Sequence, residues 1–309
     1  MLPATAAALA GLAVLLAWPV PRALARSAWP RRDPVVALVC WQAIGLAGGL
    51  SMIGALLVHG LSPWAGSLPA AIGAVVTGRP ALDPVRGDHW AALTLAGVLA
   101  AELLGVLLLS WVRTARVRRR HRALLELVLQ PSAELPDARL VDHPAPVAFC
   151  IPGARPLLVL SSGMVAELDE EQLAAVVAHE RAHLREHHHL LLLPFVAWEA
   201  ALPVLPAAAR AHAAVRELVE MRADDVALAA LPGPGARRTL AGAIVAAAGS
   251  AGGDVPSGAL AVTGGAVGSR VVRLLEAPRP LPPVARWAAL LSAALLLLAP
   301  TLLLLLPAL

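Results

Sequence analysis

The chain has no tyrosine and no lysine, only two cysteines, and few charged residues. Each shortage narrows what it can be. Without tyrosine, no phenol can act as an acid, a nucleophile or a hydrogen-bond donor to a reacting group. Two cysteines, Cys40 and Cys150, give no disulfide framework. Cys40 falls inside a long apolar run, and Cys150 in a short strand-like run where it reads as core. The missing lysine, beside heavy use of alanine, arginine and leucine, reads as GC-rich coding bias. Charge is the most telling shortage. Only 15% of residues are charged against 58% hydrophobic, which is too apolar for an ordinary soluble enzyme.

The apolar excess sits in blocks. Residues 3–20, 34–59, 90–112 and 287–308 are each long enough to cross a bilayer core of about 30 Å, which predicts four transmembrane helices. Ala23-Leu24-Ala25 resembles a signal-peptide cleavage site, but no basic residue precedes the first run, so it reads as an uncleaved span. Glu102, inside the third span, is either functional or neutral in a helix–helix contact. The arginines orient the spans. Arg22, Arg26, Arg31 and Arg32 follow the first, a cluster from Arg113 to Arg122 follows the third, and Arg279 and Arg286 precede the fourth. The 61–89 loop carries only Arg79 and Arg86, balanced by Asp83 and Asp88. The positive-inside rule then predicts a multi-pass protein of the cell membrane with both termini outside and residues 113–286 in the cytoplasm. The net charge of +4 is explained by anionic lipid beside these arginines, so the bilayer is the expected partner and direct nucleic-acid binding is not.

The predicted organisation is a membrane region over 1–112, a cytoplasmic domain over 113–286 and a last transmembrane helix over 287–309. The fold class is mainly α, a polytopic membrane protein whose cytoplasmic domain is α+β. A short helix is expected at Ala123–Leu129, then a polar connection to Pro144. Val147-Ala-Phe-Cys-Ile and Leu157-Leu-Val-Leu read as two strands joined by a Pro-Gly turn. A helix is predicted from about 169 to 189, with Asp169 and Gln172 as its capping box. Residues 190–206 are apolar but short and broken by proline, so they read as a buried or surface helix that does not cross the bilayer. A long helix is expected at 207–231, another alanine-rich one to about 248, and a mobile Gly-rich loop over 249–268.

The chemistry lies in His179-Glu-Arg-Ala-His183. Histidines four apart share a helix face and can reach one metal ion, while Glu180 stands beside that face, placed to take a proton from a metal-activated water. Zinc in a hydrolase needs a third protein ligand. Glu220 is one candidate, with Asp224 one turn on to orient a histidine. His189 is the other, at metzincin spacing; that site requires glycine where this chain has Glu186, so the helix is expected to run on and carry His189 off the ligand face. Glu220 is the preferred reading.

Residues 145–277 resemble the membrane-bound zinc peptidases of the β-lactam sensor and antirepressor group (BlaR/MecR type), which are gluzincin-like. The resemblance rests on Pro152-Gly153, Pro156-Leu-Leu-Val-Leu-Ser-Ser-Gly163, the 179–183 motif, Glu220…Asp224 and Arg270…Leu274. It extends more distantly to prenyl-protein and heat-shock membrane proteases with the same His-Glu-x-x-His and Glu-x-x-x-Asp pattern. It implies a zinc metalloendopeptidase with His179, His183 and Glu220 as ligands, Glu180 as general base and Asp224 as support. It also implies an edge strand that pairs with extended substrate, and a protein substrate such as a BlaI/MecI-like repressor. The oxyanion needs a further donor, and with no tyrosine available His212 and Arg216 are the candidates by sequence position. Family sensors carry an extracellular penicillin-binding domain after the last span. None follows it in this sequence, so direct β-lactam acylation is expected to have no site there. The alternatives are a quality-control protease for membrane proteins and a non-catalytic receptor with a vestigial metal site.

Overall fold

Proline and apolar runs set the first helices. The computed structural model describes residues 2–131, 138–153, 156–203, 206–249 and 264–305. In it α1 (Leu2–Ala17) and α2 (Pro19–Arg26) share the first apolar run. They part at Trp18, because Pro19 has no amide to continue a helix but suits the start of one. Asp33 caps α3 (Pro34–Leu61) by accepting from the Val36 amide at 3.2 Å. The short α4 (Leu68–Val76) was not foreseen from sequence. Next comes α5 (Gly87–Leu125), 39 residues long, which carries on through the arginine cluster, so the separate helix expected at 123–129 is partly its last turn. The chain's last described helix is α12 (Pro283–Leu305). Among the described residues, four helical stretches are long and apolar enough to cross a membrane: Ala4–Arg26, Pro34–Leu61, Gly87–Leu125 and Pro283–Leu305.

Between α5 and α12 run β1 (Gln130–Pro131), β2 (Ala138–Val141), β3 (Ala148–Ile151), β4 (Leu157–Ser161), α6 (Ser162–Glu167), α7 (Glu170–Arg185), α8 (His188–Ala201), α9 (Pro206–Ala230), α10 (Ala236–Gly249) and α11 (Gly264–Glu276). Most of the loop expected at 249–268 falls outside the described residues, and its end, from Gly264, is already helical.

The chain divides into two compact units. The first holds Met1–Ser110, Leu193–Val215 and Leu281–Leu309. Here α3 is central, with α1 and α12 packed on it and Trp41 buried. Residues 193–215, read from sequence as part of the 113–286 domain, group with this unit. Phe195 and Trp198 line an apolar cavity with Leu16, Trp41, Gly48 and Met52. Among the described residues, its lining holds no titratable side chain. At 14 residues α8 is about 21 Å long, short of a bilayer core.

The second unit holds Trp111–Leu192 and Arg216–Pro280. Its sheet has the order β1-β2-β4-β3, with β2 parallel to β4 and β3 antiparallel to it, which leaves β3 at an edge. The polar connection read from sequence hid β2. Its Ala138 is buried, Arg139 is exposed, and Leu140 and Val141 are half-buried, so no apolar run marks it. Val177 of α7 packs on Ala138, Leu158 and Leu160 of the sheet. Ala175 on the same helix packs with Ala227, Leu240, Ala241 and Leu274 of α9, α10 and α11. Each large apolar side chain so buried contributes about 1.5–3 kcal/mol.

Ser161 ties the sheet to this helical layer. Its hydroxyl donates to the Ala145 carbonyl at 2.7 Å and accepts from the Val147 and Met164 amides at 2.9 and 3.0 Å. Gly163 follows because the Pro144 carbonyl oxygen lies 2.0 Å from where a Cβ would stand, a space no other residue could share. Together they fix the chain that leads into the edge strand β3.

Candidate metal centre

The capping box forms at the start of α7. Asp169 Oδ1 accepts from the Gln172 amide at 2.8 Å, and Gln172 Oε1 accepts from the Asp169 amide at 3.3 Å. Two turns on, His179 and His183 occupy one face of the helix with their Nε2 atoms 3.1 Å apart. From α9, Glu220 brings Oε2 to 3.4 Å from His179 Nε2 and Oε1 to 3.6 Å from His183 Nε2. Two donors at zinc–nitrogen distance from a tetrahedral ion stand about 3.3 Å apart. The three residues therefore fit three corners around one cation, and two imidazoles with one carboxylate form a donor set suited to zinc.

The surroundings fix the ring orientations. His179 Nδ1 is 2.9 Å from Asp224 Oδ1, close enough for an ion pair but off the line of a well-formed hydrogen bond. Asp224 is buried and accepts from Arg270 through both oxygens, at 2.9 Å from Nε and 2.7 Å from Nη2. Arg270 Nη1 also lies 3.0 Å from Glu220 Oε2. On the other histidine, His183 Nδ1 is 2.9 Å from Nδ1 of the buried His188. His188 Nε2 reaches Glu186 Oε2 at 3.2 Å, and Glu186 accepts from Arg222. With Nε2 of His183 given to a ligand, its Nδ1–H donates to His188, whose Nε2–H donates to Glu186. One tautomer satisfies the whole series.

Electrostatics sort the groups. Burial alone would keep His179 neutral, but Asp224 and Glu220 outweigh it and raise its pKa to about 9. The pocket thus favours positive charge at this point. Burial, with His179 next to it, pushes His183 down to about 3. Burial acts on Glu220 in the opposite sense, yet the two histidines and Arg270 hold it at about 2, ionised. Glu180 is raised to about 7, chiefly by burial and further by Glu220, against the opposing pull of His179. A carboxylate near neutrality suits a general base.

The helix does not run on through Glu186. It ends at Arg185, and His187 takes a left-handed conformation at φ 51° before α8 starts. The expectation of a continuous helix to 189 is corrected here. The chain turns where Arg222 of α9 clamps Glu186, at the cost of about 1–2 kcal/mol for a non-glycine residue in that region. His189 lies outside the His179–His183–Glu220 group, on the first turn of α8 with its ring beside that of His187. His212 belongs to the first unit, where its Nδ1 is 2.5 Å from Glu199, and Arg216 is exposed.

Three residues next to the centre escaped the sequence reading. Arg270 had a signal, because Arg270 and Arg273 on one helix face Asp224 and Asp225 on another, pair against pair. His188 sat unweighed beside His189, which was weighed. Cys150, read as core, stands on the edge strand β3 close enough to Glu180 for the two to influence each other electrostatically. Burial first, and the Glu180 charge second, push its thiol above the usual range and keep it protonated.

A helix-borne His-Glu-x-x-His, a glutamate from a second helix and a buried base beside them define the metallopeptidase class. Residues 112–231 match the model of Peptidase family M48, which supports a metallopeptidase of that family; M48 peptidases typically depend on zinc. The match spans both histidines, Glu180 and Glu220, and stops short of Arg270. No solved structure matches the chain.

Proposed function

We propose that this protein is an integral-membrane zinc endopeptidase that cleaves a cytoplasmic protein. The observation that carries the reading is the convergence of His179, His183 and Glu220 on one point, with the buried Glu180 beside it. Zinc, when bound, supplies the Lewis acid that polarises a scissile carbonyl and acidifies water. Glu180 takes the proton from the attacking water and returns it to the leaving amine. Asp224 holds His179 through Nδ1, and Arg270 keeps both carboxylates ionised. Cys150 borders Glu180 from the edge strand β3, on which an extended substrate would pair.

The arginines beside the spans support a cytoplasmic site. Resemblance to the antirepressor group supports a BlaI/MecI-like repressor as substrate and a signalling role. The test is proteomic comparison of the wild type with a Glu180→Gln strain. One soluble regulator accumulating uncut supports the reading. Many membrane proteins accumulating together would make this a quality-control protease. Bound zinc with no difference between the strains would make it a receptor.

A further inference from the structure

Among the described residues, one other group of side chains brings three metal-ligating atoms together: His59, Asp88 and His89, all in the first unit. His59 lies in the last turn of α3, and Asp88 and His89 in the first turn of α5. His59 Nε2 is 3.2 Å from Asp88 Oδ2, and the two imidazole rings are 5.2 Å apart. We propose that these residues form a second site, for a divalent transition-metal ion, separate from the centre on α7 and α9.

The plain alternative is a helix cap. Asp88 suits the start of α5 electrostatically, and Arg86 donates to both of its oxygens at 3.0 Å. A cap, however, calls for neither histidine, and His59 arrives from a different helix, 29 residues earlier. The helices also meet here by a specific device. A Cβ on Gly60 would stand 2.6 Å from Leu93 Cγ and 3.1 Å from the His89 carbonyl oxygen, so only glycine lets α3 approach α5 this closely. That approach is what carries His59 to its neighbours. Two imidazoles and one carboxylate select zinc, copper or nickel over magnesium or calcium, which prefer oxygen alone.

Arg86 guards the ligands. Its guanidinium holds Asp88, and its amide donates to His89 Nδ1 at 3.1 Å. A metal ion must displace it, so binding releases Arg86 and joins the end of α3 to the start of α5. By the arginine distribution this end of the first unit faces away from the cytoplasm, which would expose it to metal outside the cell.

The test is equilibrium dialysis of the full-length, detergent-purified protein against buffered Zn2+, counting metal per chain. Two equivalents are expected for the wild type, one for His59→Ala/His89→Ala, and one for His179→Ala/His183→Ala. Loaded with Co2+, the last variant should keep the visible bands of a nitrogen-ligated ion, and adding the first pair of changes should remove them. Arg86→Gln leaves every ligand in place and should tighten the second equivalent about two- to fivefold, the weight of an exposed ion pair. A single equivalent that vanishes only with His179 and His183 overturns the second site and leaves the protease reading standing. So does a second equivalent indifferent to His59, His89 and Arg86. Loss of metal only with the His59 pair would do the reverse.

Discussion

Arg270 is the residue whose removal should separate stability from chemistry most clearly. It is 5% exposed and holds Asp224 with two hydrogen bonds and Glu220 with an ion pair. Arg270→Gln leaves two buried carboxylates that have lost the guanidinium and share only the His179 imidazolium when metal is absent. Breaking such a buried pair costs about 3–5 kcal/mol. In a unit of about 150 residues each kcal/mol moves the melting temperature by about 2–4 °C, so the metal-free protein should melt about 6–20 °C lower. Zinc affinity should also fall about ten- to a hundredfold, because Asp224 and Glu220 lose the group that orients them. Arg273→Gln is the control on the same helix. It breaks the pair with Asp225, itself 30% exposed, at about 0.2–1 kcal/mol, and zinc affinity should not change. Arg270→Gln with Asp224→Asn removes both charges and should recover part of the melting loss without restoring zinc. The assay is thermal unfolding with and without chelator, beside zinc titration against a competing dye. An Arg270→Gln protein that melts within about 2 °C of wild type and binds zinc normally would refute the reasoning.

Other outcomes follow from the same geometry. Glu220→Ala should strip most of the zinc and the activity, whereas His189→Ala should keep both; metal analysis of the two purified proteins decides it, and the opposite result would make the site metzincin-like. Glu180→Gln should retain zinc while peptide cleavage falls at least about a hundredfold, measured on a purified substrate. His188→Ala removes the acceptor for His183 Nδ1–H and should weaken zinc about tenfold or more, with activity recovering in excess metal. A reporter placed between residues 250 and 263 should behave as cytoplasmic and one after Leu309 as external; the reverse pattern would overturn the proposed substrate pool.

Much of the centre was legible because its cause is local. Helical periodicity puts His179, His183 and Glu180 on adjoining faces, and the same periodicity sets Asp224 one turn from Glu220. The capping box at Asp169 and the two strands flanking Pro152 were readable for the same reason. The turn at His187 was not, because a left-handed histidine has no sequence signature. It is held through Glu186 by Arg222, which lies 36 residues beyond that glutamate. β2 went unseen since its partner β4 is parallel and reached only through β3. The oxyanion candidates His212 and Arg216 were chosen by sequence position, yet one turn of α9 divides the residues grouped with the membrane helices from those grouped with the metal centre. Arg270 left only the matched spacing of Arg270 and Arg273 with Asp224 and Asp225 as a trace, and its grip on both carboxylates is a tertiary contact.

The path of the chain between His183 and Glu220 governs when the enzyme can first act. Translation completes α7, and with it two ligands and the base, before the apolar hairpin of α8 and α9 exists. The third ligand, Glu220, is made only after residues 193–215, which group with the first unit. His188, Glu186 and Arg222 close the loop at the point of return. A half-made chain holds a pair of histidines but no finished metal centre. The order of the ligands along the chain thus makes the finished centre a late product of synthesis.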